Sequence, residues 1–454
     1  MDSPCSFGHE LEQIARRFRS DKLKPDRCTK TTTGTMGMND RQQLLNAIEE
    51  HTEEMVGFFQ GFVRKQSPNP PGDTTEAVAY IKSFLDGKGI DYRIIDPQPT
   101  MANVVASFDA GAPGRHLVLN GHIDVFPVSD DPAADGWTQD PWGGEIVDGK
   151  LYGRGACDMK AGTSASIWTY LLLGRIRDNL KGKLTLTCVS DEETFGPWGA
   201  RYLMEHHPEV HGDCCLNGEP SSPYSIRFGE KGPLWLKFTV RTPGAHGAYT
   251  HASASATRIA SGLIRDLEAL EDLEPDVPSN VRTALLEAQE IADKAMGPGA
   301  AEILPKITLN IGTISGGLKN NMIPGECHFE ADIRLPVGCT KEFIMAEVEK
   351  IAAGHPEATF EEVTCNLPSY CDPFGEMMGI IQNTVEELRG FRPSPVVSLG
   401  GTDARLWRYI DVPAYVYGPS PLGMGSFDEH VDVEDFLHIV RTHVLSAYDY
   451  LMAG

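Results

Sequence analysis

At 454 residues the chain exceeds what a single hydrophobic core usually serves, so two domains are expected. A hydrophobic content of 41% with no apolar run long enough to cross a bilayer excludes a membrane-embedded role, and a formal net charge of −24 excludes phosphate-backbone binding as the main business, since that binding relies on clustered Lys and Arg. Ten cysteines, with no secretory apolar segment ahead of them and no C-x-x-C pair, fit reduced thiols in a cytoplasmic protein better than a disulfide framework.

Residues 1–39 read as a polar, poorly ordered N-terminal extension, with Arg16, Arg17, Arg19, Lys22 and Lys24 mixed among Glu10, Glu12, Asp21 and Asp26. That mixture is too acidic for a good organellar transit peptide, although weak targeting stays open. Asp40 is placed to cap an apolar-periodic helix through Leu44, Leu45, Ile48, Met55 and Phe58, which the prolines at Pro68 to Pro71 end. A helix follows at Ala77 to Leu85. Short apolar runs at Val104 to Phe108, Leu117 to Leu119, Leu184 to Val189 and Cys214 to Leu216 predict buried strands, with helices after Lys160 and Trp198. This alternation is that of an open α/β sheet with helices on both faces.

The pattern changes after Phe228. Strand, helix, strand, strand, helix and strand are predicted at Leu234 to Arg241, Thr257 to Leu270, Ile307 to Ile314, Cys327 to Leu335, Lys341 to Ala353 and Ala358 to Thr364, the β-α-β-β-α-β order of a ferredoxin-like unit. An acidic, proline-containing insertion from Glu271 to about Pro305 interrupts it. A helix around Met378 to Leu388 and strands at Val396 to Leu399 and Ala414 to Tyr417 resume the α/β pattern. One catalytic domain (40–228 and 367–454) is therefore expected, interrupted by an inserted domain (229–366).

Potential metal ligands fall just after predicted strands, where open α/β sheets gather their sites. G-H-I-D supplies His122 and Asp124; G-R-G-A-C-D-M-K places Asp158 at a strand-to-helix turn; S-D-E-E presents Asp191, Glu192 and Glu193; N-G-E-P presents Glu219; and a late D-E-H-V supplies His430. Two imidazoles and several carboxylates suit a pair of borderline divalent ions, because zinc accepts both nitrogen and oxygen and a carboxylate can bridge two ions. Each element alone has a bland reading as a structural histidine or a solvated turn. Their joint arrival in one context does not.

With those segments the chain resembles the amidohydrolase family of acetylornithine deacetylase, succinyl-diaminopimelate desuccinylase, aminoacylase and glutamate carboxypeptidase, over nearly everything from Asp40 to Gly454. The resemblance implies a zinc-peptidase-like catalytic domain interrupted by a ferredoxin-like lid and dimerisation domain. It also implies two divalent ions, zinc or else cobalt or manganese, with Asp158 bridging them, His122 and Glu219 completing one shell, and Glu193 and His430 the other. Glu192 matches the general base and Asp124 the carboxylate that orients His122. His246, in T-P-G-A-H-G-A-Y-T-H, matches the histidine that binds the developing oxyanion, often in the neighbouring subunit's site; His251 is its rival and reads as structural. Asn321, Arg334, and Gly401 and Thr402 of G-G-T-D-A-R match substrate-holding residues, with a sheet-face salt bridge as the alternative for Arg334. Lys231, in G-E-K-G, stands where the desuccinylases tend to carry Arg, a departure that weakens succinyl-diaminopimelate as the expected substrate.

The implied function is hydrolysis of an N-acyl amino acid or related carboxylate-bearing amide by a homodimer. The alternatives are a dipeptidase or carboxypeptidase of the same family, amide formation in a biosynthetic pathway, and a non-catalytic carboxylate-binding protein. The last predicts a lost ligand or a lost Glu192, and neither is missing from the sequence.

Overall fold

The computed structural model describes residues 34–453, of which 34–39 by backbone alone. Most of the N-terminal extension thus lies outside the described residues. The first helix already runs over Gly34–Glu50, and Asp40 sits inside it rather than capping it. Its carboxylate is buried and accepts from the Tyr448 hydroxyl at 3.4 Å, which ties this helix to the last one. What read as a single helix through Phe58 is two, broken at His51 and resumed over Thr52–Val63.

A nine-stranded mixed sheet forms the larger layer. Its order is Arg93–Ile95, Asn103–Asp109, Lys181–Val189, Ala112–His122, Cys214–Asn217, Ala414–Val416, Ser225–Glu230 and Ser369–Tyr370, with Ser394–Ser398 also paired to Ser225–Glu230. Apolar runs rather than alternating patterns mark its central strands because helices cover both faces. The helix Ala161–Arg175 is buried from Ala161 to Leu173, as expected of a helix held against a sheet on one side and other helices on the other. It packs against the 21-residue C-terminal helix Val433–Ala453 and against Thr52–Val63, where Phe59 and Phe436 meet with ring centroids 4.7 Å apart. Truncating either buried ring to alanine would cost roughly 3–5 kcal/mol, the range for emptying an aromatic site in a close-packed core.

A four-stranded antiparallel sheet forms a second unit, ordered Thr308–Gly316, Glu326–Leu335, Gly232–Arg241 and Ala358–Cys365. With the helices Ala256–Leu267 and Lys341–Ala352 it has the expected ferredoxin-like order. Alternation sets its faces: Leu234, Leu236, Phe238 and Val240 point into a separate core, where Phe238 stacks on Phe329 at 4.6 Å.

The acidic insertion does not belong to that second core. Its helices Ser279–Glu287, Gln289–Met296 and Ala300–Ile303 carry Val281, Ala284, Ala288, Ala292 and Leu304 into the core of the nine-stranded sheet. The stretch is an arm reaching back from the smaller unit to the larger. Lys231 fastens its end: the buried ammonium donates to the carbonyls of Ile303 (3.0 Å) and Lys306 (2.7 Å) and to Thr308 Oγ1 (3.2 Å). Lys231 is therefore a structural clamp and not the substrate contact its sequence position suggested; all three of its donor directions are spent on the fold.

Candidate active site

Three neighbouring parallel strands build one edge. Lys181–Val189, Ala112–His122 and Cys214–Asn217 run side by side, with His122 opposite Val189 and Asn120 opposite Asn217, so all three stop at the same level. The residues just beyond them, Asp124, Asp191 to Glu193 and Glu219, are delivered to one place. Asp158 comes from above, on the turn Ala156–Lys160 that opens the buried helix. Close approach of that turn requires glycine: a Cβ on Gly162 would lie 1.9 Å from the Gly218 carbonyl oxygen, directly before Glu219. Glu429 then fixes the turn by accepting the backbone N–H groups of Cys157 (2.9 Å) and Asp158 (3.1 Å) while pairing with Arg154 at 2.6 Å.

At the centre lies the buried imidazole of His122. Its Nε2 is 3.1 Å from Asp158 Oδ1 and 3.3 Å from Glu219 Oε1. Donor atoms of His122, Asp158 and Glu193 fall within 4.8 Å of one another, and so do those of His122, Glu192 and Glu219. Burial works against the charged imidazole, but the carboxylates of Glu219, Asp158 and Asp124 overcome it and hold His122 well above its usual range. Burial, with neighbouring negative charge, pushes Glu192 and Glu193 well up, and Glu219 up to about 7. Carboxylates crowded out of water are costly unless a cation compensates them. Glu192 Oε1 and Glu193 Oε1 are buried without any hydrogen-bond partner. One imidazole, several carboxylates and orphaned carboxylate oxygens within ligand distance fit divalent metal ions well.

Asp124 departs from its expected part. The group facing His122 Nδ1 at 2.9 Å is the backbone carbonyl of Asp124, whereas its carboxylate is 3.6 Å away. That carboxylate instead accepts the backbone N–H groups of Glu192 (3.3 Å) and Glu193 (3.1 Å) and the Asn69 amide (2.9 Å). It orients the turn that carries the two glutamates, while its charge acts on His122 through space and its backbone carbonyl, not the carboxylate, meets Nδ1.

His430 requires a plainer correction, because the structure does not gather it with the other donors. Its strand, His430–Asp432, pairs with Lys150–Tyr152 and sets His430 opposite Tyr152. The ring lies 4.9 Å from that of Tyr152; Nε2 is 3.2 Å from Lys150 Nζ and Nδ1 2.8 Å from the Asp428 carbonyl oxygen. Successive residues of an extended segment point to opposite sides. In D-E-H-V it is Glu429, 1% exposed, that faces inward to the Asp158 turn, leaving His430 on the other side.

A cavity of about 550 Å³ opens over the cluster. Asp158, Glu192, Glu193, Glu219 and Arg227 line its floor, Trp235 and Arg334 come from the four-stranded sheet, and Phe126, Leu422 and Met424 form apolar wall. Arg334 lines the cavity but is engaged, with Nε 2.9 Å from Asp332 Oδ1 and a terminal nitrogen 2.9 Å from Oδ2, which is the sheet-face salt bridge of its alternative reading. Gly401 and Thr402 line the cavity too, although the Thr402 hydroxyl and N–H are taken by Glu230 at 2.9 and 3.0 Å. His246 and Asn321 do not line it. His246 lies on a two-stranded ribbon of the smaller unit and Asn321 just before the ribbon's second strand, where Gly247 N–H donates to the Asn321 carbonyl at 2.7 Å and both residues are exposed.

Three residues were passed over in the sequence. Asn69 joins Asp124 to Asp191 and lay in a proline-rich stretch that read only as a helix stop. Arg405, fully buried, stands 3.7 Å from Glu192 Oε1 and over the Phe195 ring; it closes the G-G-T-D-A-R segment and was within reach. Arg227 sits in a strand buried along its whole length and carried no signal.

The family model for Peptidase family M20/M25/M40 matches residues 118–448. A succinyl-diaminopimelate desuccinylase of Cereibacter sphaeroides (strain ATCC 17029) is 28% identical over 407 residues, covering 87% of this chain and 98% of the relative. Among solved structures, the M20 family metallo-carboxypeptidase Sso-CP2 from Sulfolobus solfataricus superposes with a TM-score of 0.75 at 17% identity, covering 87% of this chain and 99% of that one. The Bacillus subtilis YXEP protein, described as a dinuclear metal binding peptidase from the M20 family, gives 0.61 at 17% identity, covering 89% and 99%. The match extends over well more than half of the sequence and takes in every carboxylate of the cluster, and so the chain belongs to Peptidase family M20/M25/M40 and is a metal-dependent hydrolase of amide bonds.

Proposed function

We propose that the substrate is an N-acyl amino acid or a dipeptide-like amide bearing a free carboxylate, and that Glu192 moves the proton. Asp158 would be shared between two divalent ions, with His122 and Glu219 serving one and Glu193 the other; zinc, cobalt and manganese all suit these donors. Ions held there would polarise the scissile carbonyl and lower the pKa of water. Glu192 has an oxygen without a hydrogen-bond partner, lines the cavity and adjoins the donor set, which is the observation that carries the assignment. A carboxylate so placed takes a proton from water and returns it to the leaving amine. Arg405, 3.7 Å from it, steadies its charged form.

Homodimerisation through the smaller unit, in a cytoplasmic protein, completes this reading. Ile314 (57% exposed), Leu318 (89%) and Met322 (44%) leave apolar surface beside the His246 ribbon, as a pairing face would, and His246 would then reach the cavity of the other subunit.

A panel of N-acetyl, N-succinyl and dipeptide compounds, run on the zinc, cobalt and manganese forms, tests the substrate class. Glu192→Gln should keep the metal content of the wild type and lose on the order of 10²–10⁴-fold in kcat, the contribution of a general base. A metal-replete variant that retains most of its activity would refute the assignment.

A further inference from the structure

Arg227 and Arg334 line the cavity, with Arg154, Arg405 and Arg408 buried behind the residues that form it, and all of these but Arg227 are answered. Arg154 pairs with Glu429 at 2.6 Å, Arg408 with Glu230 at 3.0 Å, Arg334 with Asp332 at 2.9 Å, and Arg405 donates to the Thr402 carbonyl at 2.6 Å. Arg227 differs from all of them. It is 6% exposed and makes no hydrogen bond or ion pair within 4 Å among the described residues; its Nε is buried without a partner, as are those of Arg154 and Arg405, but unlike theirs the rest of its fork is unanswered too. Yet it lines the cavity floor beside Asp158 and Glu219.

A guanidinium cannot shed its proton and presents five donors in a planar fork. Leaving it buried and unanswered is expensive, and sites that bear such a cost do so where a ligand supplies the missing acceptor. The carboxylates of Glu219, Asp158 and Glu230 act on Arg227 through space without bonding it, so its fork stays open to the cavity. Arg334, by contrast, has already committed its fork to Asp332. We propose that Arg227, on the large sheet, receives the carboxylate of the substrate in two parallel hydrogen bonds, with the apolar wall of Phe126, Leu422 and Met424 beside it for the side chain. This rests on the amidohydrolase reading above.

The test compares an anion with its neutral twin. Binding of N-acetyl-leucine and of N-acetyl-leucinamide to the metal-loaded wild type, Arg227→Lys and Arg227→Met proteins is measured by calorimetry, and hydrolysis of the same pair is followed alongside metal content. The wild type should prefer the acid; Arg227→Met should weaken the acid by about 10²–10³-fold, as removal of one partner of a buried charge pair does, and change the amide by less than about threefold. Arg227→Lys should fall between, keeping the charge and losing the fork. Equal losses for acid and amide, or a drop in metal content that accounts for both, would make Arg227 a counter-charge to the carboxylate cluster and overturn the proposal. So would a wild type without preference for the acid. Acid-selective binding without turnover would instead refute the N-acyl amino acid reading of the substrate and leave the role of Arg227 standing.

Discussion

On the edge of the nine-stranded sheet, His122, Glu192 and Glu219 are each less than 8% exposed and lie within a few ångströms of one another, while at the ribbon of the four-stranded unit His246 and Asn321 stand in solvent, outside the cavity. Both sets match the same catalytic pattern in sequence. The first is gathered within one chain because adjacent parallel strands bring its members together; the second lies outside its own chain's cavity and, in the proposed dimer, would be delivered to the partner's. The preorganised set and the set proposed to be delivered thus sit on two folding units with separate hydrophobic cores.

The largest effect should follow from breaking the preorganised set at its most shared member. Asp158→Ala should reduce metal, by elemental analysis, to less than about one ion per chain and take turnover with it, because metal affinity resides in deprotonated ligands held together by the fold. Full occupancy would disprove the bridging role. The variant should stay folded, since removing one of several like charges relieves repulsion in the absence of metal.

An intermediate effect belongs to the delivered set. His246→Ala should lower kcat by about 10²–10³-fold, the loss found for a missing oxyanion donor, and leave metal content unchanged. Mixed under subunit exchange with Glu192→Gln chains, it should recover activity, since one site of the mixed dimer then holds an intact Glu192 from its own chain and an intact His246 from its neighbour. Closed two-fold symmetry limits the recovery to about half of a wild-type dimer. Exchange proved by mass without recovered activity would confine His246 to its own chain or remove it from catalysis.

What the sequence showed clearly was whatever depended on local order. Strand ends at His122, Val189 and Asn217 are marked by apolar runs that stop at polar residues, so Glu192, Glu193 and Glu219 could be placed just beyond strands from the sequence, and the pairing register then sets them side by side. Lys231 failed because nothing local says that carbonyls at Ile303 and Lys306, some seventy residues later, will surround it. The arm was legible in principle: Val277, Val281, Ala284, Ala288 and Ala292 recur at helical spacing, but the Glu, Asp and Pro among them mark the stretch only as an insertion. Arg227 had no pattern to reveal it, since a charged residue within an apolar run is meaningful only once the run is known to floor a cavity.

The smallest expected effect is the sharpest check on where the preorganised set ends. The histidine of D-E-H-V was read as a metal ligand from its neighbours in sequence, and one residue of extended chain is enough to turn it to the opposite side. With His430 on that side, facing Lys150 and Tyr152, the second ion would draw on Glu193 and the shared Asp158 without an imidazole, and the two metal positions would differ in hardness: a nitrogen and oxygens in one, oxygens alone in the other. His430→Ala should therefore leave metal content and turnover within about threefold of the wild type, where His122→Ala, by losing a first ligand, should forfeit metal by at least the 10–100-fold in affinity that even an outer partner of a metal ligand can cost. Metal titrations of the wild type should show a tighter and a weaker equivalent, the weaker one favouring manganese over zinc. If His430→Ala instead loses one equivalent outright, the ring must leave Lys150 when metal arrives, and this part of the site would be assembled by the ion rather than awaiting it.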